Sequence, residues 1–255
     1  VGDFFHMMIG VLGKRSAEMH RALSSVKDKE FAPERFSTLY QRSVYQSIRT
    51  QIRQSLKLLD KQHRRLTGEA KTLTGQVLDQ QSKIHRIAQK MTEKKIDARK
   101  TRIHGDYHLG QVLFTGKDFV ILDFEGEPGH PLSERRIKRS PLRDVAGMVR
   151  SFHYAAHAGL RQNPTIRKQD SAELESWADL WSSYISAVFL NTYRESAKND
   201  DFLPKNNPDF ATLFRVFLLE KAAYEIEYEL NNRPDWLPIP LKGILEVLNI
   251  ASIES

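Results

Sequence analysis

The apolar residues of this chain change their period twice, and that switch constrains the fold more than any other feature of the sequence. Phe36, Leu39, Tyr40, Val44, Ile48 and Ile52 mark one face of a long helix that can reach Lys61, with Pro33 in its first turn. Leu66-Thr67-Gly68 breaks the pattern, and Leu73, Val77, Ile84, Ile87 and Met91 then predict a third helix over residues 69–95. Leu12, Met19 and Leu23 place a first helix over Gly13–Leu23. The two longer helices are expected to pair as an antiparallel hairpin. Between them and the rest of the chain, Thr101–His104, Gln111–Phe114 and Phe119–Asp123 are short β-rich runs separated by glycine-containing turns. Helical spacing returns at Leu142, Val145, Met148, Val149 and Phe152, with further helices expected after Ser171, after Pro208 and over Leu241–Ile250. The expected fold class is α+β, mostly α, with a small hairpin sheet carrying loops. It is expected as one domain over residues 1–255, with subregions at 1–100, 101–125 and 126–255.

A hydrophobic content of 40% suffices for a core and argues against disorder. The excess of 39 Lys and Arg over 32 Asp and Glu suits an anionic partner, without choosing among nucleotide, nucleic acid and membrane surface. There is no cysteine, hence no disulfide and no thiolate metal site, which points to a reducing, cytoplasmic compartment. The apolar stretch Val1–Leu12 is interrupted by Asp3 and His6 and is shorter than the roughly 20 residues that span a bilayer, so no membrane partner is expected. The chain opens on Val1 and runs almost directly into a helical pattern, so a longer parent chain is expected.

The chemistry concentrates in Ile103-His104-Gly105-Asp106-Tyr107-His108-Leu109-Gly110-Gln111, followed by Val120-Ile121-Leu122-Asp123-Phe124-Glu125. Phosphoryl transfer needs a carboxylate to take the acceptor's proton and oxygen ligands to hold Mg2+ on the phosphates of ATP. Asp106, Gln111, Asp123 and Glu125 supply both. Protein kinases place an amide ligand five residues after the catalytic Asp and a metal-binding Asp on the far side of a hairpin. Gln111 is five after Asp106, and Asp123 follows the apolar run 119–122. The His-Gly-Asp triplet resembles the catalytic loop of aminoglycoside and choline kinases, with Gln111 in place of the more usual Asn. His104 and His108 are read as hydrogen-bonding supports of the loop, not as metal ligands.

The run from Asp123-Phe124-Glu125-Gly126-Glu127-Pro128 through Pro131-Leu132-Ser133-Glu134-Arg135-Arg136 to Arg143-Asp144-Val145-Ala146-Gly147-Met148 resembles the maltokinase family, including its trehalose synthase-fused members. The segment Tyr224–Leu241, containing Tyr228-Glu229-Leu230-Asn231-Asn232-Arg233-Pro234-Asp235-Trp236, is similar to the end of the same family. The resemblance implies the C-terminal lobe of a protein kinase-like fold. It implies Asp106 as base toward the anomeric hydroxyl of maltose, Gln111 and Asp123 as magnesium ligands with Glu125 as a third, and maltose 1-phosphate as product. Tyr228, Glu229, Arg233 and Trp236 combine aromatic faces with hydrogen-bonding charges and are candidate sugar contacts; a helix C-terminus packed on the core reads them equally well. Arg143 and Asp144 are further substrate-binding candidates, or an ordinary ion pair near a helix start. The basic stretch Arg135–Arg139 either approaches phosphate or is solvated. Gly10 and Gly13 do not form a phosphate-cradling loop, so the ATP-covering lobe is expected to be absent and the isolated chain inactive or nearly so.

Two other classes fit the same residues. A kinase for an aminoglycoside, choline or homoserine-like acceptor keeps the loop and changes the pocket. A non-catalytic interaction domain of a larger carbohydrate enzyme keeps the helices alone. A nucleic-acid reading rests on Lys83–Arg102, whose basic residues are spread around a helix and broken by Glu93 and Asp97, so no nucleic acid is expected.

Overall fold

The structure is a computed structural model that describes residues 2–163, 165–167 and 170–253. It is mostly helical, with two small antiparallel sheets, and it forms two compact units, each drawn from two stretches of the chain. The first takes residues up to Arg35 and Ala98–Lys205; the second takes Phe36–Asp97 and the chain from Asn206 onward. The expected helical subregion 1–100 is thus divided between the two.

In the first unit, α1 (Asp3–Ser25) packs on α7 (Ser171–Ser196), and α7 packs on α6 (Leu142–Gln162). α1 starts ten residues before its expected position and buries Ile9, Leu12, Ala17 and Met19. The crossing with α7 is close because Gly13 has no side chain: a Cβ there would lie 2.6 Å from the carbonyl oxygen of Phe189. Two strands, β1 (Glu34–Arg35) and β2 (Arg99–Lys100), pair antiparallel, Glu34 opposite Lys100. Strand β3 (Val112–Phe114) pairs with β4 (Phe119–Ile121), Val112 opposite Ile121. The turn between them, closed by Thr115 N–H donating to the Asp118 carbonyl at 2.9 Å, uses Gly116 at φ +94°. Arg15 of α1 grips the Asp118 carboxylate through two nitrogens, at 2.8 and 2.7 Å, which fixes the hairpin against the helix.

The run expected as a strand over 101–104 forms only one bridge, in which Thr101 and Arg139 exchange backbone hydrogen bonds of 2.9 and 2.8 Å. The basic stretch after α5 (Leu132–Arg135) is therefore not uniformly solvated. Lys138 is 8% exposed and donates to Glu34 at 2.8 Å and to the Lys29 carbonyl at 2.9 Å.

The second unit is a helical cluster of α2 (Thr38–His63), α3 (Gly68–Asp79), α4 (Gln81–Lys90), α8 (Asn207–Asn232) and α9 (Pro238–Ile253). Ser37 caps α2 by accepting from Tyr40 N–H, so Pro33 lies outside the helix, just before β1. Asn206 caps α8 by accepting from Asp209 N–H at 2.8 Å. The long helix expected over 69–95 is two helices broken at Gln80, because α3 packs on α9 while α4 packs on α8. α8 is buried nearly all round, through Leu213, Val216, Phe217, Ala222 and Ile226. The Gln41 side-chain amide donates to the Lys94 carbonyl at 2.6 Å and accepts from Ile96 N–H at 3.3 Å, holding the chain after α4. No helix among the described residues is long and apolar enough to cross a membrane.

Candidate active site

The loop that carries Asp106 hangs from a buried carboxylate. Asp144, near the start of α6, is 2% exposed; it accepts from His104 N–H at 2.7 Å, Gly105 N–H at 3.0 Å and His20 Nε2 at 3.1 Å. Gly105 turns at φ +89°, a region that L side chains rarely adopt. Asp144 was expected to touch substrate; it lies instead beneath the loop, with both oxygens committed to it. Arg143, the other candidate there, is half-buried in the first turn of α6.

His104 joins this loop to the next. Its Nε2 is 2.7 Å from the Leu122 carbonyl, so it carries the proton and donates; Nδ1 then faces Asp106 N–H at 3.4 Å. The ring also packs on Phe124 and Tyr107, with centroids at 5.0 and 5.3 Å. Both sides of the motif, the residue pair 106–107 and the run 122–124, are thus built around one imidazole. Tyr107 is buried, its hydroxyl 2.7 Å from that of Ser16 in α1, and burial pushes its phenol well above the usual range. Its carbonyl packs so closely on α6 that a Cβ at Gly147 would approach it to 2.8 Å.

His108 Nδ1 accepts from Gly110 N–H at 3.0 Å and starts the 3-10 turn Leu109–Gln111; its Nε2–H then points toward Asp106, 3.7 Å from Oδ2. Ser151 of α6 accepts from Leu109 N–H at 3.1 Å and secures the far end of the loop. From the turn, Gln111 donates Nε2 to Asp123 Oδ2 at 2.9 Å. The backbone holds the same spacing, since Leu122 N–H donates to the Gln111 carbonyl at 2.9 Å. Asp123 is exposed and sits at φ +59°; Glu125 beyond it is exposed as well. With its amide nitrogen turned to Asp123, Gln111 leaves its carbonyl oxygen available. The donor set at this point is then amide and carboxylate oxygens, which fits a hard divalent cation such as magnesium. Leu113 and Val120, which are cross-strand partners, and Leu122 form an exposed apolar surface on one face of the same hairpin; Phe114, on the other face, meets the Phe4 and Phe119 rings.

The remaining sequence candidates lie in the second unit, at the end of α8. Glu229 is 1% exposed and holds Arg233 through two bonds, at 3.0 and 2.7 Å. The guanidinium is also 5.3 Å from the Tyr228 ring centroid and 4.4 Å from that of Trp236. Arg233 N–H caps the helix on the Glu229 carbonyl at 2.8 Å. Glu229 and Arg233 are therefore engaged in closing the helix, as the helix-end reading of the sequence has it; Tyr228 stays exposed and Trp236 half-buried.

His20, Tyr193 and Ser16, which no local motif marks, are part of the loop's support. A further cluster, His153, His157 and Asp179, has metal-ligand composition. His157 Nε2 is 2.8 Å from Asp179, but Arg150 donates to Nδ1 of His153 at 3.1 Å, which leaves the His153 proton on Nε2 where a metal needs a lone pair. We assign no metal to it.

The model of the phosphotransferase enzyme family matches residues 9–134. A glucosamine kinase of Streptacidiphilus jiangxiensis is 26% identical over 151 residues, 57% of this chain and 31% of that protein. A glucosamine kinase of Mycolicibacterium smegmatis is 28% identical over 138 residues, 54% of this chain and 32% of that protein. The solved structure of a glucosamine kinase in complex with glucosamine, ADP and inorganic phosphate shares the fold with a TM-score of 0.75 at 18% identity, over 94% of this chain and 51% of that one. Another, crystal form A, gives a TM-score of 0.76 over 96% and 54%. The matches thus span about a third of the curated relatives' length and about half of the solved chains. The chain is similar to the phosphotransferase enzyme family over residues 9–134 and shares the fold of the glucosamine kinase structures.

Proposed function

We propose that this chain is the C-terminal, catalytic lobe of a kinase that moves the γ-phosphoryl group of ATP to a hydroxyl of a small sugar. The observation that carries the reading is the fastening of the Asp106 loop to the Asp123 loop through His104, with Gln111 bonded to Asp123 between them. In this reading Asp106 accepts the proton of the sugar hydroxyl as its oxygen bonds to the γ-phosphorus and the bond to ADP breaks. Gln111 and Asp123, with Glu125 beside them, would hold magnesium, which supplies positive charge to the phosphate oxygens. The exposed apolar surface of Leu113, Val120 and Leu122 suits the nucleotide base.

For the acceptor, the names of the two relatives favour glucosamine. A second reading, maltose with an association to trehalose synthase, rests on the resemblance of residues 123–148 and 224–241 to maltokinases.

The test is phosphorus NMR of the full-length protein that carries this chain, given magnesium, ATP and either glucosamine or maltose. A sugar phosphate is expected to form, and Asp106→Asn is expected to slow it about 10²–10⁴-fold. An unimpaired Asp106→Asn protein would sink the assignment of the base; formation from one sugar alone decides the acceptor.

A further inference from the structure

We propose that His20 and Tyr193 are positioning residues for phosphoryl transfer, acting on the catalytic loop through Asp144; the proposal rests on the kinase reading of that loop. The three side chains form a buried chain of hydrogen bonds running from α7 through α1 to α6. Asp144 is fixed by two loop amides and one imidazole, and burying a carboxylate is costly unless such donors compensate it. His20 is fully buried and donates Nε2–H to Asp144 Oδ2, which leaves Nδ1 to accept the Tyr193 hydroxyl at 2.8 Å. Burial holds the Tyr193 phenol well above its usual range, so it keeps the proton it donates. The imidazole is also held edge-on by the rings of Tyr193 and Phe202, at 5.6 and 6.1 Å. Tautomer and orientation are thus both set, and the bond to Asp144 is the result.

Without His20, Oδ2 keeps only the His104 amide, and the carboxylate is free to rotate away from the geometry that orders the loop. The residue after those two amides is Asp106. A second contact from the same face of α1 supports this assignment. Ser16, one turn before His20, donates to the Leu12 carbonyl at 2.8 Å and accepts the Tyr107 hydroxyl at 2.7 Å. Residues 16 and 20 therefore hold the loop on both sides of Asp106.

The test uses His20→Leu, His20→Gln and Tyr193→Phe in the full-length protein, with steady-state kinetics and amide hydrogen exchange of the loop. His20→Leu is expected to lower kcat about 100-fold while KM for ATP and for the sugar changes about twofold or less, since the loop is displaced without loss of a binding contact. His20→Gln restores a donor to Asp144 and is expected to recover about tenfold of that loss. Tyr193→Phe keeps the ring and is expected to cost about three- to tenfold in kcat. Amides of His104 and Gly105 should exchange faster in His20→Leu. Wild-type kcat in a folded His20→Leu protein, or no recovery in His20→Gln, overturns the proposal while leaving the kinase reading standing. Unchanged exchange of both amides overturns it too, whether or not transfer is observed. Wild-type protein that transfers phosphate to neither sugar overturns the sugar-kinase reading on which the proposal rests.

Discussion

Asp123 occupies the left-handed region at φ +59°, where a non-glycine residue costs about 1 kcal/mol, and this strained residue is the one whose carboxylate pairs with Gln111. Spacing alone pointed to both residues, because the short hairpin β3–β4 folds Asp123 back beside Gln111, five residues after Asp106. The supports were not legible in the same way. Asp144 lies 39 and 40 residues from the amides it holds, and His20 lies 124 residues from Asp144. The α8 cluster reads two ways in sequence because a Tyr, Glu, Arg and Trp set that recognises a sugar and one that closes a helix have the same composition. Gly147 gives a residue-scale prediction. Alanine there places a methyl group against the Tyr107 carbonyl, a backbone atom, at 2.8 Å. Gly147→Ala is expected to lower kcat by about tenfold or more by shifting the loop, with Tyr107 amide exchange accelerated; wild-type turnover in a folded variant would contradict the close approach.

Among the elements, periodicity found most helices and failed where a partner changed along one of them. The apolar face Leu73, Val77, Ile84, Ile87 and Met91 is continuous in sequence, but its first half meets α9 and its second half α8, and the axis breaks at Gln80 to allow both. Likewise the β-rich run 101–104 has the propensity of a strand but finds a partner only at Arg139. The α1–α7 crossing depends on Gly13. Gly13→Ala brings a Cβ to 2.6 Å from the Phe189 carbonyl and 3.1 Å from the Tyr193 amide nitrogen, so the helices must separate. A loss of about 1–3 kcal/mol is expected in denaturant unfolding. Gly10, whose Cβ would meet only the Thr192 hydroxyl at 3.5 Å, should tolerate the same change with little loss.

At the scale of the whole molecule, the two units carry different responses to acid. In the first, Lys100 and then Lys138 hold the Glu34 carboxyl down to about 2 from its usual 4.5. Its folded pKa is depressed, so its stabilising contribution is present above pH 4.5 and is lost as pH falls from there toward 2. In the second, burial and then the nearby Arg49 and Arg53 lower the His85 pKa below its usual 6.5. The folded state resists that proton, so stability falls as pH drops below about 6.5, well before Glu34 responds. Hydrogen exchange from pH 7 to 3 is expected to show α4 loosening first and the β1–β2 pair later, with Glu34→Gln flattening the later phase and His85→Leu the earlier one. Simultaneous loosening of both would count against this assignment.

By itself the sequence determined a mostly helical chain, the places where helical spacing gives way to a hairpin, and the spacing of the candidate residues Asp106, Gln111 and Asp123. All of these are written in spacings of a few residues, where backbone period and hairpin geometry leave little choice. Tertiary structure alone decided that residues up to Arg35 join Ala98–Lys205, that Lys138 is buried against Glu34, and that His20 and Tyr193 stand under the loop. Contacts between residues more than a hundred positions apart are set by packing, and neither period nor propensity encodes them.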